Sequence, residues 1–425
     1  MNENLLQFIW QHLAFDTSQK IANTDNEELI IISPGILNQN AGPDFLEAKI
    51  KIGNTTWVGH IEIHIKSSDW IKHNHHQNKN YQKLILHVVY ENDMDLKDIN
   101  KGQFMTLELK KYINETILQR YDFLMQQKKF IPCEKAIQNV SPIILSQQFS
   151  RCLAERLENK TQYIIELLNK KNNNWQEVFY IQLAKGFGIR INQIPFEQLA
   201  LQTPLNLLAK YKNNPIQIAS ILFGQAGMLN DYFDETYPLI LQKEYEYLKK
   251  IHQLDAIDFS LWKFLRLRPA NFPTIRLAQF SQLIIQSSHL FSKIIEANSI
   301  EELISLFDIS LDSYWETHYT FNHTSSKKTK HLGTNFIHTL IINSIVPTIF
   351  IYGKMQGGQS FCDKALHFLN KLPPEKNNII QSWTRYGVEL HTAADTQAAL
   401  ELYNQYCTRK NCLSCSIGYH ILKRN

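Results

Sequence analysis

"GPDFLEAKIKIGNTTWVGHIEIHIKSSDW", residues 42–70, holds two stretches of alternating apolar and polar residues on either side of Gly53-Asn54. Alternation with a period of two is typical of β-strands, and Gly-Asn between two such stretches is typical of a hairpin turn. Side chains two residues apart on a strand point to the same side. The second strand therefore carries four titratable side chains on one face, namely His60, Glu62, His64 and Lys66. Such a row costs burial energy unless it meets water, a metal or charged partners, so it is a candidate functional site.

The segments around this hairpin predict a helix and further strands. "NENLLQFIWQHLAF" has the apolar spacing of one helix face, and "ELIIIS" is a β-branched run that ends before Pro34-Gly35. After the hairpin, "DWIKHNHHQNKNYQ" predicts a helix and "KLILHVVY" predicts a strand. The predicted element order through residue 90 is therefore α-β-β-β-α-β, and we expect "FMTLEL" to extend the sheet.

The pattern changes to helical spacing beyond residue 140, as in "ILSQQFSRCLAERLENKTQYIIELLNK". The sequence therefore predicts an α+β protein with an α/β domain over residues 1–130 and a mainly helical region over residues 131–425. A chain of 425 residues also exceeds the usual size of one hydrophobic core, which favours more than one domain.

The overall composition narrows the class of protein only slightly. With 44 basic and 40 acidic residues, the net charge of +4 does not by itself indicate a nucleic-acid or membrane partner. No segment approaches the roughly 18 to 20 uninterrupted apolar residues of a membrane span, and no basic region precedes the apolar part of the N-terminus. We therefore expect a cytoplasmic protein with no membrane partner. Six cysteines are too few for a disulfide scaffold and favour reduced thiols or a metal site.

The hairpin also carries residue types that metal-assisted phosphodiester hydrolysis requires. Carboxylates hold a hard cation such as Mg²⁺, and a nearby base or donor orients water. Pro43-Asp44 and Glu62-Ile63-His64, with 17 residues between the two acids, resemble the signature of the PD-(D/E)XK nuclease superfamily. That superfamily has an α-β-β-β-α-β core with Pro-Asp on one strand and acid-x-Lys on the next. The resemblance implies a restriction-endonuclease-like domain in which Asp44 and Glu62 bind Mg²⁺ or Mn²⁺.

This sequence departs from the superfamily at His64, where the pattern has lysine. A neutral imidazole can ligate a metal or accept a proton, whereas lysine offers a cation unless its pKa is lowered. We therefore expect His64 to orient or activate water, with Lys66 on the same face as a second catalytic candidate.

The nuclease hypothesis depends on the hairpin register. A strict two-residue turn pairs Ile52 with Thr55, which is expected to put Asp44 on the face opposite Glu62. A three-residue loop or a bulge is expected to pair Ile52 with Thr56 and to bring Asp44 opposite His64. The hypothesis requires the second register.

Nearly all of the chain also resembles an uncharacterised bacterial family of unknown function. The resemblance includes "NAGPDF", "GHIEIHIKSSDW", "LILHVVYEND", "LFGQAGML", "RLRPANFP" and "CTRKNCLSC". It implies no activity, so the chemistry has to be derived from the residues.

Histidines are concentrated around the same hairpin. Six of the sixteen lie between residues 60 and 87, namely His60, His64, His73, His75, His76 and His87. A second interpretation is that His60, Glu62, His64 and a histidine of residues 73–76 bind Zn²⁺ or another metal that prefers imidazole. Alternatively, the histidines of residues 73–76 are exposed loop residues. His60, Asp69, His73 and His75 are thus auxiliary candidates, and Asp69 is equally typical of a helix N-cap.

The cysteines suggest a second metal site. Cys407, Cys412 and Cys415 lie within nine residues, and Cys133 could supply a fourth thiolate from a distance. Thiolates in such a group suit Zn²⁺ or an iron–sulfur cluster. Reduced thiols without a ligand are the alternative.

These observations favour divalent-metal-dependent hydrolysis of DNA or RNA, with the helical region holding the substrate or an unknown protein partner. Two alternatives remain open. One is a binding or scaffold protein that kept the fold and lost the chemistry, and the other is a zinc-dependent hydrolase that uses the histidines. An active nuclease should show Asp44, Glu62 and His64 together in an open cleft, whereas a zinc hydrolase should show three converging ligands that include histidines of residues 73–76.

Overall fold

The hairpin forms the centre of a six-stranded mixed sheet in the computed structural model, which describes residues 1–423. The strands are β1 (Leu29–Ser33), β2 (Ile36–Leu37), β3 (Phe45–Ile52), β4 (Thr55–Lys66), β5 (Leu84–Glu91) and β6 (Met105–Glu108). Their spatial order is β1-β3-β4-β5-β6, with β2 paired to β3. β1, β3 and β4 run antiparallel, whereas β4, β5 and β6 run parallel. The predicted extension of the sheet by residues 105–108 is confirmed.

Short helices accompany the sheet. They are α1 (Glu3–Gln11), α2 (Asp69–Lys72), α3 (Lys97–Asn100) and α4 (Glu115–Gln126). α1 begins after Asn2, whose side chain accepts a hydrogen bond from the Leu5 N–H, and it packs its apolar face against β4. The helix predicted between β4 and β5 is shorter than expected, because only α2 and two 3₁₀ turns form there.

A β-bulge in β3 sets the hairpin register. Ile52 pairs with Thr55, so the Gly53-Asn54 turn has two residues, and the register then shifts by one between Ala48 and Phe45. At the bulge Glu47 adopts a left-handed backbone conformation with φ of 56°. The sequence predicts that a two-residue turn puts Asp44 on the sheet face opposite Glu62. That prediction is wrong. The bulge brings Asp44 beside Glu62, rather than opposite His64.

The chain divides into two compact units. The first comprises Met1–Ser150, Ser382–Val388 and the segment from Leu402 onward, and the second comprises Arg151–Gln381 and Glu389–Glu401. The predicted ranges were 1–130 and 131–425. In the structure, the C-terminal cysteines belong to the same unit as the sheet.

Helices dominate the chain beyond residue 141, as the sequence predicts. They are α5 (Pro142–Lys170), α6 (Trp175–Phe187), α7 (Gln193–Gln202), α8 (Leu205–Lys210), α9 (Pro215–Gln225), α10 (Thr236–His252), α11 (Pro273–Gln286), α12 (Leu290–Glu296), α13 (Ile300–Ser305), α14 (Tyr314–Thr317), α15 (Thr334–Leu340), α16 (Val346–Tyr352), α17 (Gln359–Lys371), α18 (Asn378–Arg385), α19 (Ala393–Glu401) and α20 (Ser416–Lys423). A small hairpin of β7 (His318–Thr320) and β8 (His323–Thr324) lies between α14 and α15.

One helical stretch, Thr334–Gly357, is long and apolar enough by length and composition to cross a membrane. However, 72% of its most apolar window is buried inside the structure. Packing against other helices of the second unit accounts for its apolar composition.

Candidate metal centre on the sheet

The alternation of β4 places two titratable side chains over the sheet. Glu62 and His64 lie on one face, while Ile61 and Ile63 are buried on the other. Glu62 and His64 are only 5% and 2% exposed. A charged or polar side chain at such a position requires polar partners.

Asp44 meets Glu62 at the end of β3. Its backbone N–H donates to Glu62 Oε2 at 3.1 Å, and its own Oδ2 accepts the Ile63 N–H at 2.9 Å. Burial, followed by the neighbouring Glu62 carboxylate, raises the pKa of Asp44 to about 7, although the hydrogen bond from the Ile63 N–H opposes the shift. Two carboxyl groups are thus held side by side at this position.

Three imidazoles converge beside this pair. A ring nitrogen of each of His64, His73 and His75 lies within 4.8 Å of the others, and His64 Nε2 is 3.0 Å from His73 Nδ1. At Zn–N distances of about 2.0–2.1 Å, tetrahedral ligand atoms lie about 3.3–3.4 Å apart. The group therefore fits a small divalent cation after minor movement of the rings.

The Glu62 carboxylate borders the same group. Its Oε1 is 3.2 Å from His75 Nε2 and 3.6 Å from His64 Nε2. Glu62 can therefore serve as a fourth ligand or as a proton acceptor next to the three nitrogens.

His64 is held as a neutral imidazole. Burial, followed by the neighbouring His87, His75 and His73, lowers its pKa to about 2. Its Nδ1 lies 2.8 Å from His87 Nε2, so the other nitrogen faces His73 and Glu62. Metal binding requires the neutral form, and a partner on the far nitrogen fixes the ring orientation.

His87 provides that partner from the neighbouring strand β5. It is fully buried, as expected for a histidine in an apolar strand, and burial lowers its pKa to about 3. Its Nδ1 has no hydrogen-bond partner within residues 1–423. An unpaired buried nitrogen lowers the stability of the fold. This cost indicates that His87 occupies this position in order to orient His64.

A left-handed residue brings the loop histidines over the sheet. Asn74, with φ of 58°, reverses the chain between His73 and His75, a conformation that asparagine tolerates. His75 packs on Tyr81 with ring centroids 4.2 Å apart and on Trp70 at 5.3 Å. His73 is exposed and His75 half-buried, so the group opens to solvent on the loop side.

Helix α1 contributes two residues that the sequence interpretation missed. Gln7 Nε2 donates to Asp44 Oδ1 at 2.9 Å. Glu3, one turn earlier, has its pKa raised by burial, and charges at His73, Asp69 and Glu62 also act on it. The only sequence signal was the i, i+4 spacing of these two residues on the helix.

Three predicted residues have partners outside this group. The Lys66 ammonium is 4.0 Å from the Asp93 carboxylate. Asp69 begins α2, and its carboxylate accepts the Lys66 N–H at 3.0 Å and a bond from Lys72 at 2.6 Å, so it does not act as the helix cap. His60 Nδ1 accepts the Glu47 N–H at 3.4 Å beside the bulge.

The predicted cysteine ligands lie elsewhere in the first unit. Cys133, Cys412 and Cys415 are buried, and Cys407 is half-buried at the end of a π-helical stretch, Leu402–Cys407. Burial raises the pKa of the Cys133 thiol, and the Cys415 and Cys412 thiols add to this shift.

Comparison with known proteins identifies one family. A family model described as "Protein of unknown function (DUF2851)" matches residues 3–378, which include the carboxylates, the histidines and Cys133. No curated protein and no solved structure matches the chain. The chain therefore belongs to the DUF2851 family of proteins of unknown function.

Proposed function

We propose that this protein is a divalent-metal-dependent hydrolase of phosphodiester bonds in DNA or RNA, with its metal bound by His64, His73 and His75. The convergence of these three imidazoles beside the Asp44–Glu62 pair is the observation that carries the proposal. Ligands of this type favour Zn²⁺ over Mg²⁺, which prefers oxygen ligands in octahedral geometry.

A bound cation would supply a polarised phosphoryl oxygen and a more acidic water. Glu62, in contact distance of His64 and His75, is positioned to take the proton of the attacking water. Asp44, with a pKa near 7, can accept or release a proton near neutral pH. In this proposal His64 is a ligand rather than the general base, because its pKa is far below neutral.

The substrate class rests on the resemblance to PD-(D/E)XK nucleases. The helix–strand order of the first unit and the two acids on neighbouring strands support it. The acids also meet on one face, which the nuclease hypothesis requires. His64 stands on β4 where the superfamily pattern has lysine. The three imidazoles support Zn²⁺, whereas the superfamily pattern implies Mg²⁺ or Mn²⁺. Mg²⁺ or Mn²⁺ at Asp44 and Glu62 remains the alternative.

A second candidate is a non-catalytic binding or scaffold protein. The near-complete burial of the Glu62 and His64 side chains favours it, because a substrate would reach the group only from the His73 side. The same geometry would also suit a zinc-dependent hydrolase that acts on a substrate other than a phosphodiester.

The test compares cleavage of labelled single- and double-stranded DNA and RNA by protein loaded with Zn²⁺, Mn²⁺ or Mg²⁺. The variants are Glu62→Gln, His73→Ala and the matched control His76→Ala, which changes an exposed histidine of the same loop. We expect Glu62→Gln to reduce the cleavage rate roughly 100-fold or more. His73→Ala should lose bound metal, as measured by mass spectrometry of the metal content, while His76→Ala should retain both metal and activity.

Two results would contradict the proposal. Cleavage that survives both Glu62→Gln and His73→Ala would mean that the chemistry lies outside this group. Folded, metal-loaded protein that cuts none of the four substrates would favour the binding or scaffold function.

A further inference from the structure

A cavity of about 620 Å³ lies among the helices of the second unit. Residues of α6, α8, α11 and α12 form most of its walls. These walls are mainly apolar and include the aromatic residues Phe179, Tyr180 and Phe291. The Tyr180 hydroxyl donates to the Thr203 carbonyl at 3.0 Å, so this polar group already has a partner. A cavity of this volume and lining is typical of sites for small organic ligands.

One buried acid lines this cavity. Glu177, in the first turn of α6, is only 9% exposed. Its Oε2 accepts the Leu205 N–H at 3.0 Å, whereas its Oε1 has no hydrogen-bond partner within residues 1–423. Burial raises the pKa of Glu177, and the Leu205 hydrogen bond opposes this shift. A ligand that donates an N–H to Oε1 would remove the cost of the unpaired acceptor.

The start of α6 explains why this carboxyl group is available. Asn174 caps the helix, and its Oδ1 accepts the Glu177 N–H at 3.1 Å. In a complete capping box the acidic side chain would return to the N–H of the capping residue. Here the Asn174 N–H donates instead to the Lys171 carbonyl at 3.0 Å. The Glu177 side chain is therefore not used by its own helix and reaches Leu205, the first residue of α8.

Basic side chains line the solvent-facing side of the cavity. Lys212 and His289 are exposed, and Lys171 is half-buried. The Lys212 ammonium donates to the Ser288 hydroxyl, which also lines the cavity. Among the lining residues that the structure describes, Glu177 is the only acid. The cavity therefore combines one deep hydrogen-bond acceptor with positive charge near its surface.

We propose that this cavity binds a guanine mononucleotide, independently of the proposed hydrolase function. The base would lie against the aromatic side chains with its N–H edge at Glu177, because aromatic rings stack on bases and carboxylates accept from N–H groups. The phosphate would lie near Lys171 and Lys212, whose ammonium groups form charge-assisted hydrogen bonds to phosphate oxygens.

The polar groups of the cavity decide between ligand classes. Guanine carries two adjacent donors on one edge, N1–H and the 2-amino group, and the free lone pairs of the Glu177 carboxylate can accept both. Adenine places the acceptor N1 beside its amino group, and a carboxylate repels that lone pair. An apolar anion such as a fatty acid would leave Glu177 Oε1 unpaired. The guanine nucleotide is therefore the ligand that satisfies both ends.

The experiment measures GMP binding to the full-length protein by isothermal titration calorimetry in EDTA, which removes metal from the histidine centre. Inosine monophosphate, which lacks the 2-amino group, and AMP are the comparison ligands. We expect GMP to bind at least about tenfold more tightly than either. In Glu177→Gln, which can keep the Leu205 bond but presents N–H groups to the base, this preference should disappear. No GMP binding to the parent at about 1 mM, or a preference that survives Glu177→Gln, would overturn the proposal.

A second comparison keeps the test valid if Glu177→Gln fails to fold. Lys212→Ala should weaken GMP binding roughly threefold or more and leave the binding of guanosine, which has no phosphate, unchanged. The matched control is Lys210→Ala, which changes an exposed lysine of α8 outside the cavity lining and should affect neither ligand. Equal GMP affinities in the parent, Lys212→Ala and Lys210→Ala would contradict a phosphate site at the lysines.

Discussion

Asp44 and Glu62 hold two carboxyl groups side by side at a largely buried position, and this pairing has an energetic cost. Like charges at close range disfavour each other's ionisation, and burial adds to the effect. The elevated pKa of Asp44 is the direct result. A cation next to Glu62 would offset this repulsion, so the metal-free protein should be the less stable form at neutral pH.

The pH dependence of stability follows from this shift. The pKa of Asp44 rises from 3.8 to about 7 on folding, so between these values the native state binds more protons than the unfolded state. Its contribution to the unfolding free energy therefore decreases as pH rises through this window. The lowered pKa values of His64 and His87 act in the opposite direction, so the measurement is the difference between the parent and Asp44→Asn, in which these histidine contributions cancel. In EDTA, we expect urea denaturation to show that the stability of the parent relative to Asp44→Asn is lower at about pH 8 than at about pH 5.

Glu62→Gln should reduce this pH dependence. The amide can still accept the Asp44 N–H and can donate to His75, while the like charge next to Asp44 is removed. We expect the metal-free variant to be more stable than the parent by about 1 kcal/mol at pH 8. A variant with the same pH profile as the parent would show that Asp44 does not titrate as inferred.

At the residue scale, the sequence predicted the acids and named His73 and His75 as auxiliary candidates, but it missed Gln7 and Glu3 of α1. The period of two on β4 was sufficient to place Glu62 and His64 on one face. The convergence of His73 and His75 depends on the left-handed Asn74, and the contribution of α1 depends on tertiary packing. The i, i+4 spacing of Glu3 and Gln7 indicates a shared helix face, but neither this spacing nor the alternation of β4 predicts which residues of distant segments meet.

At the scale of elements, the bulge in β3 decides whether the carboxylates meet. The Gly53-Asn54 turn and both strands were predictable from alternation and turn chemistry. The bulge was not, because its left-handed residue is Glu47 rather than glycine. Glutamate rarely adopts this conformation, and the surrounding pairing must enforce it.

Substitutions at Glu47 should test this role. Glu47→Val places a β-branched side chain in a left-handed conformation and should lower the unfolding free energy by about 1 kcal/mol or more relative to the parent. Glu47→Gly, the matched control, should leave stability nearly unchanged or raise it. Both substitutions change an exposed position. The measurements are denaturant unfolding and the zinc affinity of the histidine centre. A valine variant with parental values for both would exclude a role of the bulge in positioning Asp44.

At the scale of the whole molecule, the C-terminus belongs to the unit that begins the chain. The helical character of the second half was readable from its periodicity. The return of the segment from Leu402 to the sheet unit was not, because contacts between distant segments produce no local pattern. In α20, Tyr419 packs against His12 and Phe8, with ring centroids 4.6 Å and 5.8 Å apart.

Truncation tests this organisation. A chain that ends at Cys415 lacks α20 and uncovers Phe8, so we expect the first unit to lose about 3 kcal/mol or more. Limited proteolysis should then degrade the sheet unit and leave fragments from Arg151–Gln381. The control Lys423→Ala, which removes an exposed bond to the His12 carbonyl, should change stability by less than about 0.5 kcal/mol. Equal protease resistance of the truncated and full-length chains would contradict the assignment of α20 to this unit.

The extra residue at Glu47 also has a genetic consequence. An in-frame loss of the Glu47 codon would leave Leu46 to pair with His60 and would keep both the Ile52–Thr55 and the Phe45–Ile61 pairs, so Asp44 would stay beside Glu62. A descendant gene could thus lose the bulge in one mutational step and keep both the fold and the carboxylate pair. Sequence alignments of relatives should therefore treat a one-residue gap between Phe45 and Ala48 as a tolerated length difference, and not as evidence of a change of function.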